Sequence, residues 1–91
     1  MVDNLIIPII HSNGTSRRML NDQWSGAYAS LQEAYRKLQE SSPHMRDFYI
    51  QTDGQKVYNK ACEQHMARLQ KVQDVMDELE ALSIGVYAQD A

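Results

Sequence analysis

Ninety-one residues allow one small domain, too short for two independent cores. Nine basic against twelve acidic residues leave a formal charge of −3, which supplies no field for a nucleic-acid backbone. One cysteine, Cys62, excludes an intramolecular disulfide and fits a reducing compartment.

The chain opens with an acidic Met1-Val2-Asp3-Asn4, where a secretion signal would be basic. The aliphatic run Leu5-Ile6-Ile7-Pro8-Ile9-Ile10 follows, too short to span a bilayer. No membrane partner is expected, and the cytoplasm of a bacterium or of an infected host cell is the expected location. Pro8 cannot donate to a β-ladder, so the run reads as an edge strand or an extended arm. Its aliphatic side chains need cover from the rest of the chain or from a neighbour.

His11-Ser12-Asn13-Gly14-Thr15-Ser16 reads as a turn and then a helix cap, with Thr15 or Ser16 accepting from the first free helical N–H groups. Asn13-Gly14-Thr15 also matches a glycosylation sequon, but without a secretion signal it is a turn and cap. Helix one is predicted over 16–41. Its apolar stripe runs Leu20, Trp24, Ala27, Leu31, Ala34, Leu38, stepping by threes and fours along one seam. Gly26 lies inside it, either tolerated or admitting a close neighbour.

Ser41-Ser42-Pro43 ends this helix, because proline disfavours the α conformation in the residue before it. The loop over 42–54 is long for a helical hairpin. Phe48, Tyr49 and Ile50 are expected to fold back onto the helix ends, in the manner of a short strand. Thr52-Asp53-Gly54 is a turn signal. Helix two is predicted over 55–83, with the stripe Tyr58, Cys62, His65, Leu69, Val72, Met76, Leu79 and with Gly85 as the stop. Residues 84–91 read as a frayed tail.

Arg17 and Arg18 stand in the first turn of helix one, and Asp74, Asp77, Glu78 and Glu80 crowd the end of helix two. Each placement opposes its helix dipole, and an antiparallel hairpin lets the two ends offset each other. The stripes then match in a register that pairs Leu20 with Met76, Trp24 with Val72, Ala27 with Leu69, Leu31 with His65 and Leu38 with Tyr58. A slip of one heptad aligns them as well. The fold class is therefore all-α: two long antiparallel helices packed in coiled-coil fashion, with an extended N-terminal arm. The apolar residues Tyr28, Tyr35, Met66 and Val75 flank the seams, and the arm contributes Leu5, Ile6, Ile7, Ile9 and Ile10. That surface is wider than one hairpin covers, so a homo-oligomer, with a dimer favoured, is expected through these residues.

No motif for catalysis is present: no P-loop, nucleophile elbow, HExxH or paired carboxylates, so a non-enzymatic role is expected, with no cofactor. Cys62-x-x-His65 places a thiol and an imidazole on one helical face. A metal site would need two further ligands from His11, His44, Asp47 or Glu63, none at ligand spacing, so no metal is expected and Cys62 reads as a small apolar seam residue. His65 needs a hydrogen-bond partner, which Tyr28, Gln32 or Tyr35 could supply. His44, Arg46, Asp47 and Tyr49 put a base, a guanidinium, a carboxylate and a phenol on one loop, and with His65 they form the candidate ligand-binding set. A helix-turn-helix is a poor fit, because the loop is long and helix two lacks a basic face.

Trp24-Ser25-Gly26 matches the W-x-G signature of small secreted helical-hairpin proteins, but there it lies in the turn, and the tyrosine–acid tail motif of that family is missing here. The chain more closely resembles small proteins of bacteriophage and prophage genomes. The resemblance is carried by His11, Asn13, Gly14, Thr15 and Ser16, by His44, Arg46, Asp47, Phe48 and Tyr49, and by Glu63, His65, Arg68 and Leu69. It spans nearly the whole chain and brings no established activity. It implies a virus-derived two-helix protein that acts by binding another protein, and it adds weight to His11, Asn13, His44, Arg46, Asp47, Tyr49 and His65.

Overall fold

In the computed structural model, which describes residues 4–89, helix α1 spans Arg17–Glu40 and helix α2 spans Gly54–Tyr87, joined by a loop that holds one 3-10 turn, Met45–Asp47. The two helices form an antiparallel hairpin, all-α among the described residues. It is a rod of 63 × 23 × 16 Å.

α1 begins where Ser16 caps it: the Ser16 Oγ accepts from the Met19 N–H at 3.1 Å. It ends at Ser41, whose N–H and Oγ both donate to the Leu38 carbonyl, at 3.0 and 2.8 Å. The half-buried face of α1 carries Leu20, Trp24, Tyr28, Leu31, Tyr35 and Leu38, while Ala27 and Ala34 stay exposed. The seam is thus rotated from the expected one, with two tyrosines in place of two alanines. A tyrosine ring removes far more apolar area from water than an alanine methyl does, so the rotation is favourable.

The loop does not form a strand. His44 opens the 3-10 turn, its Nδ1 accepting from the Arg46 N–H at 3.2 Å. Phe48 then turns in against Tyr58, with ring centroids 5.9 Å apart and planes tilted by 54°. Asp53 adopts a left-handed conformation, φ 58°, which aspartate tolerates better than most residues. It delivers the chain to Gly54, which is buried beneath the loop backbone: a Cβ there would collide with the Phe48 carbonyl oxygen and lie 3.1 Å from the Tyr49 Cα.

This loop sets the register, which differs from the expected one. Tyr58 is covered by Phe48 rather than by Leu38. His65 instead stands level with Leu38, its Nε2 2.7 Å from the Leu38 carbonyl. Towards the other end Trp24 and Leu79 line one groove. The helices are therefore slipped by one heptad, with Trp24 beside Leu79 and not Val72. Matching stripes cannot distinguish the two registers. The loop does, because its aromatic residues occupy the first turns of α2 and push α1 along.

α2 also runs past Gly85, which has no positive φ and does not stop it. The glycine makes room for the arm: a Cβ on Gly85 would lie 2.8–3.0 Å from side-chain atoms of Ile7. Over residues 84–89 the expected frayed tail is instead anchored, and residues 90 and 91 lie outside the described residues. Val86 is fully buried, and the Gln89 side-chain amide clamps the arm backbone, accepting from the Ile10 N–H at 3.0 Å and donating to the Pro8 carbonyl at 2.6 Å. Leu5, Ile7 and Ile10 are half-buried, whereas Ile6 and Ile9 point outwards, 86% and 75% exposed.

Candidate functional site

The loop set is dispersed over an open surface. His44, Arg46 and Asp47 are exposed, and Tyr49 is largely so. The His44 ring is occupied as the cap of its own 3-10 turn. His65 is buried at 5% exposure in the seam. Its partner is a backbone carbonyl, not Tyr28, Gln32 or Tyr35. A carbonyl can only accept, so Nε2 carries the proton. Nδ1 then faces the Arg68 Nη1 at 3.4 Å, a group that can only donate. Both neighbours fit a ring that donates from Nε2 and accepts at Nδ1. His65 therefore adds a donor from α2 to the Leu38 carbonyl in the last turn of α1, beside the two that Ser41 supplies.

Arg17 does the equivalent work at the other end. Its Nη2 donates to the Gln89 carbonyl at 2.8 Å, and its guanidinium carbon lies 5.5 Å from the centroid of the Tyr87 ring. The expected offset of charge between the helix ends is thus met through a backbone carbonyl rather than through the acids of α2. Among the described residues the ion pairs lie within single helices: Arg36 with Glu33 and Glu40, Lys37 with Glu40, and Lys60 with Glu63. All are exposed and worth at most about 1 kcal/mol each.

Cys62 lies one turn after Tyr58 on α2, and the nearby thiol raises the Tyr58 phenol above its ordinary value. Among the described residues no three His, Cys, Asp or Glu side chains group closely enough to hold a metal ion. No described helix is long and apolar enough to cross a membrane.

The concavity lies elsewhere. An open groove of about 410 Å³ runs between the helices near the arm end. Trp24, Tyr28 and Leu79 supply its apolar wall, and Asn21, Ser25, Gln32, Glu80 and Ser83 its polar groups. Reading the sequence alone missed this site. Its residues come from two helices, and only the true register brings Glu80 beside Trp24. The available signal was the chain's one tryptophan, standing in a segment without cations.

No protein family, curated protein or solved structure matches this chain.

Proposed function

We propose that the protein is a non-enzymatic assembly module, phage-encoded and cytoplasmic, that works by packing against a second copy of itself. The observation that carries this reading is its unburied surface. The chain exposes 6889 Å², against about 5,400 Å² expected for a folded monomer of 10.5 kDa. Its radius of gyration is 19.0 Å, against about 12 Å for a compact chain of this length. The excess, about 1,500 Å², lies within the range that an obligate homodimer removes from each partner.

Burial within the hairpin is correspondingly thin. Among the described residues Met76 and Val86 are the buried apolar side chains, each contributing about 1.5–3 kcal/mol. Ala27 and Ala34 lie exposed on the far side of the Leu31 row from Tyr28 and Tyr35, and Val75 is exposed on the far side of Met76 from Glu80. Small side chains there let a second helix pair approach closely, while Met66, Ile6 and Ile9 extend the apolar surface. The resemblance to phage and prophage proteins supports the phage origin and a role in protein binding.

Light scattering at micromolar concentration tests it. A mass of two or more chains is expected, falling to one chain in Val75→Glu. A monomeric mass for the unsubstituted protein overturns it.

A further inference from the structure

We propose that the groove between α1 and α2 binds an organic cation, a guanidinium or alkylammonium head on an aliphatic stem. Its lining combines what such a ligand needs. Trp24 and Tyr28 present aromatic surface, which attracts cations through the ring quadrupole and covers an apolar stem. Glu80 adds a carboxylate, with no cationic partner within 4 Å among the described residues. Asn21, Gln32, Ser25 and Ser83 offer neutral oxygens to the remaining N–H donors. The cavity, about 410 Å³, falls within the range of small-molecule sites.

The α2 side of the groove carries the same sign: residues 72–89 hold Asp74, Asp77, Glu78 and Glu80 and no lysine or arginine. On the α1 side, cations lie one turn beyond the lining: Arg36, paired with Glu33 and Glu40, Arg17, bound to the Gln89 carbonyl, and Arg18. An anion would meet the Glu80 carboxylate unfavourably, and a neutral ligand would leave it unused. The groove is built from one chain, on the side of the seam away from Ala27, Ala34 and Val75, so its occupancy does not depend on the assembly reading.

Trp24 is the sole tryptophan, so its fluorescence reports on the groove directly. Agmatine and the peptide acetyl-Gly-Arg-Gly-amide are titrated at constant ionic strength, with the uncharged analogue pentylurea as the control. Saturable change with a dissociation constant of roughly 1 mM is expected for a cationic probe. Binding of agmatine alone assigns the site to a free amine, and binding of the peptide alone assigns it to a protein side chain. Glu80→Gln, with helicity unchanged by circular dichroism, weakens binding roughly tenfold. Glu78→Gln, a neighbouring acid outside the groove, leaves it unchanged. The proposal is overturned if neither probe saturates, if pentylurea binds equally, or if the two substitutions weaken binding alike.

Discussion

His65 donates its Nε2–H to the carbonyl oxygen of Leu38 across the helix interface, at 2.7 Å. One side chain thus ties α2 to the last turn of α1, whose end Ser41 caps, and fixes how far α2 is shifted along it. The imidazole is buried and approached by Arg68 on its other nitrogen, so the bond forms away from competing water.

Replacing His65 by alanine is expected to destabilise the hairpin by about 1–3 kcal/mol, from the lost bond and the space left behind. His65→Gln restores a donor and should recover part of the loss. Urea unfolding of the three proteins measures it. Equal stability of His65→Ala and the unsubstituted protein would show that the Ser41 donors already satisfy Leu38.

Gly26 and Gly85 should respond differently to alanine. Nothing lies within 4 Å of a Cβ on Gly26, so Gly26→Ala should stabilise by roughly 1 kcal/mol through helix propensity. At Gly85 the same Cβ meets Ile7, so Gly85→Ala should displace the arm and forfeit that gain. Thermal unfolding separates the two, with the Gly26→Ala midpoint higher and the Gly85→Ala midpoint unchanged or lower.

Gln89 holds the arm by both ends of its amide. Gln89→Glu keeps an acceptor for Ile10 but sets a second acceptor oxygen against the Pro8 carbonyl, and Gln89→Ala removes both bonds. Amide exchange at Ile10 should quicken in both variants, while exchange in the middle of α1 stays unchanged.

Tyr58 supplies a pH-dependent prediction. Its phenol is raised in the folded protein by Cys62. The folded form therefore holds this proton more tightly than the unfolded chain. The resulting stability is fully present below the ordinary tyrosine value of about 10 and is lost as pH rises through the folded value. Phenolate absorbance, with Tyr58→Phe used to isolate this residue among the five tyrosines, checks it. Cys62→Ala should move the isolated titration downwards. An unchanged midpoint would mean that the thiol does not act on the phenol.

The amino-acid sequence by itself determined that there are two helices, that they lie antiparallel, and that Thr15 or Ser16 starts the first; the structure selects Ser16. Each of these depends on residues within a few positions of one another, or on the sign of charge at a helix end. The register, the rotation of the α1 seam, the run of α2 past Gly85 and the arm's seat on Gly85 and Gln89 were decided by tertiary structure. A seven-residue repeat matches itself after a slip of seven, so the stripes hold no information that distinguishes the two alignments. Phe48 on Tyr58 and His65 on Leu38 supply it. The groove belongs to the same class: Trp24 and Glu80 stand far apart in the chain, and only the slipped register makes them two walls of one cavity.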